Sequence, residues 1–344
     1  MIKRIHTKDY NFYGDNGSGL TLRWGKTLND NPAYAPWPEL ADISISNYCT
    51  KNCGYCYRDS NENGTFMSLT DYEHILDQLT SPDYGPVFQV ALGGGEPLEH
   101  PDFMAIIEAT VQRKIVPNFT TNGLHLTEET VEKLKGKVGA IALSAAGIRD
   151  IDPDKVKIMN RAGIKTNIHF VLSHQTIDEA IGLLEGRYNH LLEGVNGLIF
   201  LTYKPKGRAE EAGCLRDSEE SYQRFLALAN VNHCAARIGF DACFVPPLLH
   251  STDVTADYVD SCECGFFSIY VDEWMTVKPC SFSLGDQFSF SLREYSFAEI
   301  WKEKLEPYRN LILSRTCVSS CKNKSDCRGA CPYYSALNFC YQAG

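Results

Sequence analysis

Cys49, Cys53 and Cys56 fall within one short run, CTKNCGYC, spaced C-x3-C-x2-C. Three thiols so close in one loop can wrap a single inorganic centre, and 14 cysteines in 344 residues call for such an explanation. That count is too sparse for a secreted disulfide scaffold and too high for an ordinary cytosolic enzyme. The opening MIKRIHTKDY has basic residues but no apolar stretch after them, so it does not read as a signal peptide. No run of about 18 apolar residues exists to span a membrane. The thiols therefore read as those of a cytoplasmic protein, where disulfides are disfavoured and metal or cluster binding is favoured. A net charge of −10 argues against a nucleic-acid partner, which would call for a basic stripe.

The scaffold around the cysteine loop is periodic. Short apolar or β-branched runs (ADISISN, VFQVALG, VPNFTTN, GAIALSA, KTNIHFVLS and GLIFLTYK) alternate with amphipathic stretches. In SLTDYEHILDQL, residues Leu69, Tyr72, Ile75, Leu76 and Leu79 share one helical face. TIDEAIGLLEG repeats the pattern and stops at Gly186. PDFMAIIEATVQR opens with Pro101 and an acidic first turn, as helix starts prefer. Six β-then-α units imply parallel strands with right-handed crossovers, hence an α/β fold: a partial (β/α)6 TIM-like barrel over residues 39–230. Residues 1–38 read as an N-terminal hairpin segment, KDYNFYG and LTLRWG flanking DNGSG. Residues 231–344 lose the rhythm, and from Cys243 onward hold nine of the 14 cysteines. They read as a small region held by bound inorganic material rather than by a large apolar core.

In a barrel the loop after a strand lies on the face where chemistry is done. Three cysteines on a 4Fe–4S cluster leave one iron open to a non-protein ligand, whereas electron-transfer clusters use four. A zinc site is the alternative, but zinc loops favour paired C-x2-C units and no second pair follows here. The run resembles the cluster loop of the radical SAM superfamily, with Tyr55 where that family has an aromatic or apolar residue beside the adenine. The second strand ends in GGGEP, similar to the family's GGE(P). There the backbone at Gly94 and Gly95 and the side chain of Glu96 hold the methionine amino group. Glycines permit close backbone approach and a carboxylate pairs with an ammonium. TTNG and LSAAG close the next two strands, and the resemblance assigns them to the nucleoside, with Ser144 on the ribose. It covers residues 41–210.

The tail, Cys317-x3-Cys321-x5-Cys327-x3-Cys331-x8-Cys340, with Cys243, Cys262, Cys264 and Cys280 upstream, is similar to the SPASM extension of radical SAM enzymes. That extension carries two auxiliary 4Fe–4S clusters. Two departures show: the first tail spacing is x3 rather than x2, and Met275 stands where a Gly is expected. The family's order assigns Cys317, Cys321, Cys327 and Cys340 to one cluster. It assigns Cys280 and Cys331 to the other, completed by Cys262 and Cys264, with Cys243 as the rival. Four-cysteine ligation suits electron transfer or structure, and one open iron stays possible in the second cluster. Zinc knuckles are the alternative. Cys214 and Cys234 read as ordinary thiols.

The resemblance implies an enzyme that reductively cleaves S-adenosylmethionine to a 5′-deoxyadenosyl radical and abstracts hydrogen from a peptide or protein side chain. The outcome would be oxidative modification, with crosslinking during ribosomal peptide maturation as the main reading. It implies an external electron donor such as flavodoxin or ferredoxin. Ser281 stands where sulfatase-maturing relatives have a basic Asp, which speaks against formylglycine formation. Only 48 residues precede Cys49, and they do not read as a leader-binding winged helix. Either a separate protein recognises a leader, or the substrate bears none. Lys204, Lys206 and Arg208, in TYKPKGRAEE, read either as binders of a carboxylate of S-adenosylmethionine or of the substrate, or as a solvated basic turn. Two other classes stay open: a small-molecule radical dehydrogenase or epimerase acting on a sugar or amino acid, and a non-enzymatic metal-binding module.

Overall fold

Alternation along the strands decides which side chains reach the barrel interior. The computed structural model describes residues 1–254, 259–315, 327–329 and 331–337. An N-terminal meander comprises β1 (Ile2–His6), β2 (Asn11–Asp15) and β3 (Leu20–Trp24). The barrel strands follow: β4 (Leu40–Ser46), β5 (Gln89–Gly94), β6 (Val116–Thr121), β7 (Ala140–Ala145), β8 (Lys165–Leu172) and β9 (Gly197–Thr202). In β8 the residues Thr166, Ile168, Phe170 and Leu172 are buried, while the alternate set, which includes His169 and Val171, is only half-buried. Successive side chains of a strand point to opposite faces, so the two sets meet the helices and the interior respectively.

The helices α1 (Leu69–Gln78), α2 (Phe103–Gln112), α3 (Glu128–Leu134), α4 (Pro153–Arg161), α5 (Ile177–Leu184) and α6 (Glu220–Asn230) return the chain between strands or follow the last. Ser68 caps α1 by accepting the Asp71 N–H at 3.1 Å, and Asp152 caps α4 ahead of Pro153. The start of α2 differs from expectation. It begins at Phe103 with no acid in its first turn, and Asp102 makes no side-chain cap bond. The Asp102 N–H instead donates to His100 Nδ1 at 3.0 Å, in the turn that carries Pro101.

The sheet also runs past the six periodic strands. β10 (Arg237–Phe240) joins parallel to β9, and β11 (Ser268–Val271) joins parallel to β4 on the other side. β12 (Thr276–Lys278) and β13 (Phe290–Ser291) continue antiparallel, giving the order β10-β9-β8-β7-β6-β5-β4-β11-β12-β13. β10 and β13 are the two edges, so the barrel is partial. The later region also brings apolar mass: Phe266, Phe267, Phe297, Ile300, Trp301, Leu305 and Tyr308 are buried in one core with the barrel. Apolar packing there is thus larger than the sequence suggests. Arg23 of β3 ties the meander to it, contacting Glu263 at 2.8 Å and stacking 3.6 Å from the Phe267 ring. Among the described residues no helix is long and apolar enough to cross a membrane.

Candidate active site

The cysteine loop leaves β4 at Ser46 and folds on its own backbone. Cys56 N–H donates to Cys53 O at 3.2 Å, and Cys49 N–H to Asn61 O at 3.1 Å. Asn52 and Asp59 take left-handed φ angles of 46° and 53°, a region Asn and Asp tolerate better than most residues. Donors aim at sulfur: Ser60 N–H at Cys56 Sγ (3.4 Å), and Asn122 Nδ2 (3.9 Å) with the Lys51 and Asn52 amides at Cys49 Sγ. Burial raises the Cys49 thiol pKa.

Arg208, from the segment after β9, clamps this loop. Its Nε donates to Cys53 O at 2.9 Å, Nη1 to Asp59 Oδ1 at 2.6 Å, and Nη2 to Ser60 O at 2.9 Å. Its backbone N–H donates to Cys56 O at 3.0 Å. Gly207 lets the two chains touch, since a Cβ there would lie 2.4 Å from Cys56 O. The basic turn is not a solvated one, because its three cations are held by groups of the protein itself. Lys204 is buried, with Nζ 2.7 Å from Asp241 Oδ2 and 4.5 Å from the Phe282 ring centroid. Burial disfavours the Lys204 charge, but Asp241 and the Cys243 thiol outweigh it and hold the pKa above the usual lysine value. Lys206 donates to the Ser281 and Ser283 carbonyls at 2.6 and 3.3 Å.

GGGEP docks on the same loop. A Cβ on Gly94 would lie 2.1 Å from Ser46 O, and one on Gly95 would lie 1.9 Å from Tyr48 O. Gly95 N–H donates to Ser46 O at 2.7 Å and Glu96 N–H to Tyr48 O at 2.9 Å. These glycines thus bring the two loops together, and the Gly95 and Glu96 amides are already engaged. The Glu96 carboxylate accepts from Thr121 Oγ1 (2.6 Å), Asn122 N–H (2.7 Å) and Leu98 N–H (3.2 Å). Burial raises its pKa, against the pull of those three donors.

One cavity of about 520 Å³ collects the expected residues: Cys49, Cys53, Cys56, Tyr55, Gly94, Gly95, Glu96 and Ser144. Cys264 and Cys280 line it too, so thiols from both ends of the chain reach one space. A second cavity, of about 320 Å³, adjoins Tyr55 and Arg208. Burial raises the Tyr55 phenol pKa, reinforced by Cys53.

Residues 43–186 match the family described as the Radical SAM superfamily. Those residues are a radical SAM domain. Within the curated relatives, a probable GTP 3′,8-cyclase of Methanocaldococcus jannaschii is 37% identical over 94 residues, 27% of this chain and 31% of that protein. The chain therefore matches about a third of that relative. The mycofactocin maturase MftC of Mycobacterium tuberculosis is 22% identical over 307 residues, covering 82% of this chain and 75% of the relative. Among solved structures, Streptococcus suis SuiB bound to the precursor peptide SuiA superposes with a TM-score of 0.69 at 17% identity, covering 95% of each chain. SuiB bound to S-adenosylmethionine gives 0.67 at 20% identity, covering 90% of this chain and 77% of that one. At such identities the likeness shows the fold, a radical SAM partial barrel with a cysteine-rich C-terminal region.

Beyond the radical SAM domain, five thiols gather. Cys243 hydrogen-bonds Cys331, Cys262 bonds Cys264, and Cys264 bonds Cys280. The bond from Cys243 holds the Cys331 thiol down to about 6, helped by the Tyr333 and Tyr334 backbone amides. Cys243 and Cys262 interact as well, so the rival and both first choices share one cluster of side chains. Phe282 N–H points at Cys280 Sγ at 3.3 Å, and Gly329 N–H at Cys327 Sγ at 3.3 Å. Cys317, Cys321 and Cys340 lie outside the described residues. Met275 has φ 64°, the left-handed conformation for which glycine is the natural occupant. Among the described residues no three His, Cys, Asp or Glu side chains converge tightly enough to hold one metal ion.

Sequence reasoning missed Asp42, Tyr57, His169, Asp241 and Tyr270, which also line the large cavity. The available signal was a lone acid or histidine inside an apolar strand, as in ADISIS and NIHFVL.

Proposed function

We propose that this chain is a radical SAM enzyme that oxidatively modifies a peptide, forming crosslinks during ribosomal peptide maturation. The observation that carries the reading is the single cavity reached by Cys49, Cys53 and Cys56 on one side and by Cys264 and Cys280 on another. Three thiols with N–H donors directed at two of their sulfurs fit a 4Fe–4S cluster with one open iron. With S-adenosylmethionine bound, that cluster supplies a 5′-deoxyadenosyl radical able to take hydrogen from an unactivated carbon. The chain's own residues bind, orient and shield. Glu96 keeps lone-pair capacity beyond its three donors for the methionine ammonium. Tyr55 and Ser144 flank the nucleoside.

Cys280 and Cys331, with two of Cys243, Cys262 and Cys264, would hold an auxiliary cluster that accepts the electron left on the substrate. Cys327 would join Cys317, Cys321 and Cys340 in a second. The reading includes a cytoplasmic location, an external flavodoxin- or ferredoxin-type donor and, for a leader-bearing peptide, a separate recognition protein. Support for a peptide comes from a fold shared with SuiB, a protein solved with its precursor peptide. The small-molecule reading has less behind it: the cyclase match covers only 27% of the chain, and one long match, to an AdoMet-dependent heme synthase of Methanosarcina barkeri (23% identical over 80% of the chain), stands against the maturase and SuiB together.

The test offers reconstituted protein the short peptides encoded beside its gene, with S-adenosylmethionine and dithionite, and reads the products by mass spectrometry. Loss of two hydrogens per crosslink, with 5′-deoxyadenosine released, is expected. Turnover of a free sugar or amino acid with no peptide modified would overturn the reading.

A further inference from the structure

Three acidic side chains line the large cavity: Asp42, Glu96 and Asp241. Two of them already accept hydrogen bonds from the protein. Glu96 accepts the three donors described above. Asp241 accepts Thr202 N–H at 3.2 Å, Thr202 Oγ1 at 2.6 Å and Lys204 Nζ at 2.7 Å. Asp42 has no hydrogen-bond donor among the described residues.

Its surroundings deepen the contrast. Asp42 of β4 is the register partner of Tyr270 on β11, and register partners on neighbouring strands face the same side of a sheet. The Tyr270 hydroxyl is buried and has no hydrogen-bond partner. On the other flank the partner of Asp42 is Ala91, whose methyl leaves room. The nearby cation, Arg58, is bound through Nη2 to both carboxylate oxygens of Glu273, while its buried Nε has no partner. Lys204 and Lys206 are spent on Asp241 and on the Ser281 and Ser283 carbonyls. A half-buried carboxylate with no donor and a buried hydroxyl with no partner, side by side in one cavity, mark a place where a ligand group belongs.

We propose that Asp42 and Tyr270 form a substrate subsite for a cationic side chain, lysine or arginine, of the peptide on which the radical SAM domain acts. This rests on the reading given under Proposed function. Leu40, Val171, Leu201 and Ile269 line the same cavity and would cover the methylene stem of such a side chain. A cation is the favoured class because Asp42 accepts no hydrogen bond from the described residues, and charge-assisted hydrogen bonds are about twice as strong as neutral ones. Burial holds the Asp42 carboxyl up to about 7, and an adjacent ammonium or guanidinium would restore its ordinary ionised state.

The experiment uses the full, anaerobically reconstituted chain with S-adenosylmethionine and dithionite. Blocked tripeptides, acetyl-Gly-X-Gly-amide with X as lysine, arginine, glutamine or norleucine, are titrated while 5′-deoxyadenosine release is followed. The lysine or arginine peptide should stimulate release with an apparent KM at least about tenfold below that of norleucine. Asp42→Asn should erase that preference, and Tyr270→Phe, which removes only an oxygen, should narrow it. Equal response to norleucine or glutamine, no response to any peptide, or an unchanged preference in Asp42→Asn would each overturn the proposal. If Asp42→Asn fails to fold, an unchanged preference in Tyr270→Phe overturns it instead. A wild-type protein that releases no 5′-deoxyadenosine under any condition would remove the radical SAM reading itself, and the subsite with it.

Discussion

Arg208 shows how much of the first cysteine loop depends on a single distant side chain. Its guanidinium holds two backbone carbonyls and the Asp59 carboxylate of that loop. Arg208→Ala leaves those acceptors unmatched, at a cost of about 1.5–3 kcal/mol. Iron retained per chain after reconstitution and desalting should fall well below wild type, while Arg208→Lys, which keeps the charge but loses the fork, should lie between. Retention equal to wild type in the alanine variant would show that the loop holds itself.

Asp42 and His169 also give a pH signature. The folded Asp42 carboxyl, raised by burial to about 7, stays protonated where the unfolded one has ionised, so it lowers stability as pH rises from about 4 to about 7. Asp42→Asn removes that term. The melting temperature of the variant relative to wild type should therefore rise across this window, and a flat difference would contradict it. His169 works the other way. Burial lowers it to about 4, against the attraction of Asp241, so its contribution is complete above about 6.5 and is lost as pH falls towards 4.

At the scale of elements, the radical SAM domain rests on the contact between GGGEP and the cysteine loop. Gly95→Ala would put a methyl 1.9 Å from Tyr48 O, and a backbone neighbour cannot swing aside. The 46–49 segment must shift, and loss of iron from the first centre is expected with the helical circular dichroism preserved. Met275 offers a contest of magnitudes. Its left-handed φ costs about 1–2 kcal/mol, which glycine would relieve. Its side chain is only 2% exposed, and deleting a buried methionine costs about 2–5 kcal/mol. Met275→Gly should therefore lower the urea midpoint, whatever glycine is the family norm; a higher midpoint would mean the strain dominates.

Those two positions also mark what was legible in advance. The six strands and the cysteine loop could be read because a period of two and a C-x3-C-x2-C spacing are local properties. The departure at Met275 could be seen, but its compensating burial could not. Asp42 and Tyr270 meet only because β11 returns to pair with β4, a juxtaposition no local pattern records. Arg208 was visible as a basic residue in a turn, yet its partners are set by where the chain comes back.

For the whole molecule, the C-terminal region completes the barrel rather than hanging from it. β11 covers the edge of β4, and Phe266, Phe267, Phe297 and Trp301 belong to the common core. A chain cut after residue 240 would expose that edge and that apolar surface together. It should be recovered as aggregate, whereas a monodisperse fragment with a cooperative melt would show the radical SAM domain to be autonomous. The measurement that bears most directly on the function is iron, sulfide and zinc per chain after anaerobic reconstitution, with S-adenosylmethionine and dithionite added to the same sample. Roughly 12 iron and 12 sulfide, with 5′-deoxyadenosine released, are expected for three clusters and radical chemistry. Zinc without iron, and no cleavage, would contradict it and leave a cysteine-rich binding protein.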